Sequence, residues 1–395
     1  MILGYQAMKI TNIKSYLLNY RLTSVYRKMF GSDKKEGEAI HTRESWFAGV
    51  NRKENVLVRV ETDEGFYGVG EALAHPVSGE TAEGIVRMVS HFGRVLKGAD
   101  PCAFAEIHRR MDSLIVNGSN GAKAAVDVAC FDILGKASER PLWSLLGGRG
   151  NIPFGCCAHM AREAPEAVAR RGKELVDRGY TSLELKCVGR QESIESDCDR
   201  ILALREAVPS EIPIVADPNQ NWDVPKEALS ALNGPLEGIP NFFLEQPVPA
   251  TDPGGLKEIT SGTEHRIIAD EIVLRPDEAQ NVAVNRLADV VSFKIMKNGG
   301  MWKILRGIPM VEHAGLEVRI DWVQASRLMD TAAAHLHTVL TRPAVDPAVD
   351  YHLRLQDDIV AEGGIRIDAD GVHLPEGPGL GVEVDWDLVE ALSSA

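Results

Sequence analysis

From Ile152 onward the chain alternates short apolar runs with longer amphipathic stretches. The runs are IPFGCCAH, TSLELK, IPIVAD, NFFLEQ, RIIAD, DVVSFK and LEVRID. Each is four to eight residues long and rich in β-branched or aromatic residues, which predicts buried strands. Between them, stretches at 164–179, 191–207, 225–232, 254–261, 276–285, 300–314 and 327–340 carry the helical spacing of apolar positions. A last short strand is expected near 349–353. Strict strand–helix alternation predicts a parallel sheet. With so many units the fold class is α/β, a closed (β/α)8-like barrel of the modified (β/α)7β form.

The first third follows a different rule. Residues 8–20 and 55–72 alternate as antiparallel strands do, and VLVRVET–DEG–FYGVGEA predicts a hairpin around Asp63, Glu64 and Gly65. A long polar loop, roughly 23–43, separates the two strand regions; a loop of that length is either disordered or functional. Helices are predicted near 79–97, 102–115 and 119–138, with Gly147-Gly148 as a stop beyond them. At 395 residues two cores are expected. The reading is an α+β capping domain over 1–135, a barrel over 136–360, and a turn-rich C-terminal segment over 361–395 that returns to the capping domain.

The strand ends carry the chemistry. Five successive runs finish in Lys186, Asp217, Glu245, Asp270 and Lys294, spaced 24 to 31 residues apart. Polar residues at the C-terminal tips of barrel strands line the catalytic face. Asp217, Glu245 and Asp270 on adjacent strands repel one another unless a cation joins them. An all-oxygen set with open positions suits Mg²⁺. Any one of them alone reads equally well as a helix N-cap, whereas three in register between two lysines do not. Lys186 and Lys294 approach from opposite sides of such a site, as two acid/base groups serving two faces of one carbon require. Glu184 shares a face with Lys186 and is expected to raise its pKa. Asp321 and Trp322 end the seventh run and form a candidate site for a substrate cation, by ion pairing and a cation–π face; Glu184 is a further substrate-binding candidate. His313, in a helical pattern, reads as ordinary.

The motifs LELKCVG, ADPNQNW, FLEQP, IIADE, FKIMKNGG and the tail GPGLGVEVD resemble the enolase superfamily, specifically its muconate-lactonizing-enzyme (muconate cycloisomerase) type within the mandelate racemase/muconate lactonizing enzyme family. The resemblance covers essentially the whole chain. It implies Mg²⁺ on Asp217, Glu245 and Asp270, with Lys186 and Lys294 as catalytic acid/base groups and Asn219, Glu271 and Lys297 supporting them. It implies removal of the α-proton of a small-molecule carboxylate substrate to give a metal-stabilised enediolate, as is established for that superfamily. Two departures stand out: Glu184 replaces the first lysine of the usual KxK, and no histidine ends the seventh strand as in the mandelate racemase type. Racemisation or epimerisation of a proline- or betaine-like amino-acid derivative is the leading expectation. Dehydration of a hydroxyproline-type substrate and cycloisomerisation begin from the same enediolate. A Schiff-base lysine lyase and a non-catalytic metal-binding protein are the alternatives of other classes.

Composition narrows partners more than chemistry. A net charge of −14 argues against nucleic acid, and no apolar run is long enough to span a bilayer. Six scattered cysteines without ligand spacing read as buried thiols in a reducing compartment, hence cytoplasm. Met8 is a candidate start, and a closed homo-oligomer is the expected assembly.

Overall fold

The computed structural model describes residues 8–24, 52–74, 79–150, 152–187, 193–321 and 325–393. Strands β1 (Ile10–Arg21), β2 (Arg52–Thr62) and β3 (Tyr67–Leu73) form an antiparallel sheet in that order. The β2–β3 turn is the expected hairpin, with Gly65 at φ +83°. Helices α1 (Ala82–Leu96), α2 (Phe104–Leu114) and α3 (Asn120–Ala137) follow. Helix α3 is buried nearly all round because its alanines let it lie directly on β3. Gly68 and Gly70 complete the fit: a Cβ on either would stand 1.9 Å from the Ala129 carbonyl oxygen or 2.1 Å from that of Ala125.

Seven parallel strands then run in sequence order around the second unit: β4 (Cys157–Met160), β5 (Ser182–Lys186), β6 (Ile214–Asp217), β7 (Phe242–Glu245), β8 (Arg266–Ala269), β9 (Val290–Phe293) and β10 (Glu317–Ile320). A helix follows each of the first six, the last being α11 (Met301–His313), and α12 (Arg327–His337) follows β10. The expected eighth strand near 349–353 is corrected. Tyr351–Arg354 is a 3₁₀ turn, and the ring is closed earlier, by residues 342–347. Val318 donates to the Arg342 carbonyl, Ala344 to that of Val318, and Cys157 to that of Pro347. Pro343 and Pro347 lack a backbone N–H, so this segment bridges β10 and β4 without forming a regular ladder.

The C-terminal segment contributes short hairpin strands and helix α13 (Trp386–Ser393). The Trp386 ring lies 5.6 Å from that of Tyr16 and 6.0 Å from that of Tyr67, with the Arg59 guanidinium 4.8 Å from the Trp386 ring centre. The tail therefore packs on the antiparallel sheet. Among the described residues no helix is long and apolar enough to cross a membrane. The loop expected over 23–43 lies outside the described residues from 25 onward, as do residues 1–7 and Trp322.

A buried histidine makes the fold acid-sensitive. The Trp143 amide donates to His335 Nδ1 at 3.1 Å, and His335 Nε2 lies 3.2 Å from the Leu380 carbonyl. This is a neutral ring with its proton on Nε2; a second proton on Nδ1 would face a donor. Burial pushes the His335 pKa down to about 4 from an unfolded value of 6.5. The unfolded chain thus takes up the proton first, and stability present above pH 6.5 is lost as pH falls toward 4. Denaturant titrations should show a loss of about 3 kcal/mol from this residue across that window, and a shallower slope in His335→Gln.

Candidate active site

Each functional side chain stands where an apolar parallel strand stops. In β5 to β9 the runs SLELK, IVAD, FFLE, RIIA and VVSF are buried, and a charge ends or follows each. Register makes neighbours of those tips: Lys186 pairs with Asp217 across β5 and β6. Asp217 and Glu245 have no exposed surface and Asp270 has 1%.

Lys186 Nζ donates to Asp217 Oδ2 and to Glu184 Oε1, each at 2.5 Å. On the other flank, Lys294 Nζ lies 2.6 Å from Asp270 Oδ2 and 2.9 Å from Asp321 Oδ2. Each lysine is therefore bracketed by two carboxylates. Burial opposes the charge on Lys186, but Asp217 and then Glu184 outweigh it and hold the pKa above its ordinary value. Lys294 is raised in the same way, by Asp270 and Asp321 against burial.

Lys297 donates to Asp270 Oδ1 at 2.7 Å and to the Asp270 and Ser292 carbonyls. Asn219 supports Asp217 through its backbone N–H, 2.8 Å from Oδ1, and its side chain reaches Glu271 Oε1 at 3.5 Å. Both Asn219 and Gln220 have positive φ, so the DPNQ turn folds back over the tip of β6.

Glu184, Asp217 and Glu245 each offer an oxygen within 4.8 Å of the others. This cluster differs from the expected trio in one member: both oxygens of Asp270 are turned to Lys294 and Lys297. Burial, then those two lysines acting against it, leave Asp270 below its usual carboxylate range. The other two carboxylates behave oppositely. Burial pushes Asp217 up to about 6 despite Lys186. Burial also lifts Glu245 well above the ordinary range, with Glu184, Asp321 and Asp217 adding to the rise against Arg319. Glu245 Oε1 is buried and has no hydrogen-bond partner.

Charge counting gives the same result. Among the described residues, six buried carboxylates, Glu184, Asp217, Glu245, Asp270, Glu271 and Asp321, face four buried or half-buried cations, Lys186, Lys294, Lys297 and Arg319. The surplus is two negative charges, that of one divalent cation. An all-oxygen donor set, an orphaned carboxylate oxygen and this surplus fit Mg²⁺.

Asp321, a candidate partner for a substrate cation, is paired with Lys294 and with Arg319, the latter at 3.0 Å. Glu184 is equally engaged, by Lys186 and His159 through Oε1 and by Arg319 through Oε2.

Three residues of the site were not singled out from the sequence. Gln246 accepts from the amides of Asp270 and Ile272 and donates to the Val248 carbonyl, tying the tips of β7 and β8. His159 on β4 lies beside Glu184. Arg319 crosses the barrel interior from β10. The signal for it was present, since Arg319 and Asp321 share one strand face and an arginine within an apolar run needs a buried anion.

A parallel barrel whose strand tips carry a carboxylate cluster between two buried lysines defines an enzyme of the proton-transfer kind. The chain belongs to the mandelate racemase/muconate lactonizing enzyme family: residues 38–147 match its N-terminal domain and residues 161–388 match the enolase C-terminal domain-like model. It is 30% identical over 388 residues to an N-succinyl-L-Arg/Lys racemase of Bacillus cereus, covering 98% of both chains. It is 34% identical to an L-Ala-D/L-Glu epimerase of Clostridium acetobutylicum, over 85% of this chain and 92% of that one. A dipeptide epimerase of Enterococcus faecalis, solved with Mg and the dipeptide L-Leu-L-Tyr, superposes with a TM-score of 0.82 at 29% identity, covering 95% of this chain and 99% of that one.

Glu245→Gln separates metal binding from folding. The substitution removes one carboxylate from a crowded buried set, so the metal-free protein should melt within a few degrees of the parent. Millimolar Mg²⁺ should raise the melting temperature of the parent, as any ligand of the native state does, and leave the variant unmoved.

Proposed function

We propose that this chain is a Mg²⁺-dependent racemase or epimerase that removes and returns the α-proton of an amino-acid derivative with a free carboxylate. The observation that carries the reading is the pair of buried lysines on opposite flanks of the carboxylates, Lys186 resting on Asp217 and Lys294 on Asp270. Asp217, Glu245 and Asp270 would hold the metal, and Asp270 is the one of the three that rests on Lys294. A bound Mg²⁺ supplies positive charge beside the substrate carboxylate, which lowers the cost of removing the α-proton. Lys186 takes the proton from one face through Nζ and Lys294 delivers one to the other, with the roles exchanged for the opposite enantiomer. Asn219, Glu271, Lys297 and Gln246 hold the strand tips at fixed spacing.

The engaged state of Asp321 bears on the substrate. A free ammonium or betaine would compete with Lys294 and Arg319 for that carboxylate. An N-acylated amino acid carries no such charge, and the Bacillus cereus relative is named for N-succinyl substrates. We therefore place N-acyl amino acids ahead of the proline- or betaine-like compounds.

A second reading, β-elimination or cycloisomerisation, is favoured by one feature: Glu184 and Asp217 both press on Lys186, which suits it to be an acid or a fixed cation. The two readings separate by α-proton exchange in D₂O, followed by NMR on both enantiomers of N-acyl amino acids and dipeptides. For the racemase, Lys186→Ala abolishes exchange of one enantiomer while the other still exchanges, and Lys294→Ala gives the mirror pattern. For the elimination, one substitution stops all exchange and the other leaves it largely intact. A Schiff-base lyase would keep its activity in EDTA and form a borohydride adduct.

A further inference from the structure

The Arg319 side chain is fully buried and extends from β10 across the barrel. Its Nη1 donates to Glu245 Oε2 at 2.5 Å, and its Nη2 donates to Glu184 Oε2 at 2.5 Å and lies 3.0 Å from Asp321 Oδ1. Nη2 also lies 3.9 Å from Cys157 Sγ. The three carboxylates come from β7, β5 and the tip of β10, so the guanidinium lies beneath the mouth between them. Glu245 has only Oε2 engaged; Oε1 is left buried without a partner among the described residues, and one Glu245 oxygen lies within 4.8 Å of oxygens of Asp217 and Glu184. Glu184 and Asp321 are also the outer carboxylates of the two lysine brackets. One planar group thus touches two members of the carboxylate cluster, Glu245 and Glu184, and, through Glu184 and Asp321, both outer supports of the lysines.

We infer that Arg319 is a positioning residue for this site: it fixes Glu245 so that Oε1 alone is presented to the metal, and it anchors the carboxylates on which Lys186 and Lys294 rest. The inference rests on the metal reading given above. The fork geometry is essential. A guanidinium holds several carboxylates in a fixed plane, whereas an ammonium of the same charge reaches one or two from a single point. Positioning therefore predicts that charge alone does not suffice, while simple neutralisation of buried carboxylates predicts that it does.

The test compares Arg319→Lys with the double variant Arg319→Met, Glu184→Gln. The second removes one charge of each sign, so the buried balance is kept while Glu245 loses its anchor. Mg²⁺ affinity is measured by calorimetry, folding by circular dichroism and melting temperature, and turnover by α-proton exchange. Both variants are expected to fold and to bind Mg²⁺ at least about tenfold more weakly, the range seen when groups supporting metal ligands are removed. Exchange at saturating Mg²⁺ should fall for both enantiomers through kcat rather than KM. Parent-like Mg²⁺ affinity in either folded variant overturns the inference, as does loss of the fold in both, which would make Arg319 a structural neutraliser. Failure of the parent itself to bind Mg²⁺ sinks the metal reading beneath it and is told apart by that control.

Discussion

Everything in this molecule depends on the matching of charges that the parallel register forces together out of water. A strand that is apolar to its last residue delivers its final side chain to the rim whether or not the rim can tolerate it. Six strand ends here deliver four acids and two lysines within a small volume. A buried ion costs several kcal/mol unless partnered, so each placement constrains the next. Lys186 is held by Asp217 and Glu184, Glu184 by Arg319, Arg319 by Asp321, and Asp321 by Lys294. The chain of pairs runs from one lysine to the other without a break. Outside that chain, among the described site residues, stand Glu245, Asp270 and Glu271 against Lys297 alone.

The rim residues were legible in the sequence because each ends an apolar run and precedes a turn. FFLE followed by Gln246-Pro247 is the clearest example: proline stops the ladder and leaves Glu245 at its tip. The helices were legible through their spacing, with 276–285 and 225–232 falling where the periodicity put them. What was hidden depends on distance across the barrel. Arg319 meets Glu184 and Glu245 over 135 and 74 residues of sequence, and no periodicity reports such a pairing. The pairing of Asp321 with Lys294, 27 residues away in sequence, was hidden in the same way. Gln246 was hidden differently: its role comes from a left-handed backbone, φ +36°, that turns its amide toward the neighbouring strand. The eighth strand was misplaced because the apolar residues near 349–353 were a stronger pattern than Pro343 and Pro347.

The replacement of a lysine by Glu184 is the chain's main departure from the pattern it resembles, and Arg319 answers it. A carboxylate in place of an ammonium on the floor of the site shifts the local charge by two units. A guanidinium returns one and ties the acid down, and His159 at 3.2 Å flanks it from β4.

The proline-containing seam has a consequence for the chain before it is finished. Until residues 342–347 arrive, β4 and β10 are the two exposed edges of a seven-stranded sheet, the kind of surface on which unfinished chains stick to one another. The segment that covers both carries Pro343 and Pro347 and offers a second molecule few amides to pair with. The same two residues that deny the barrel a regular eighth strand leave the finished seam a poor template for a further strand.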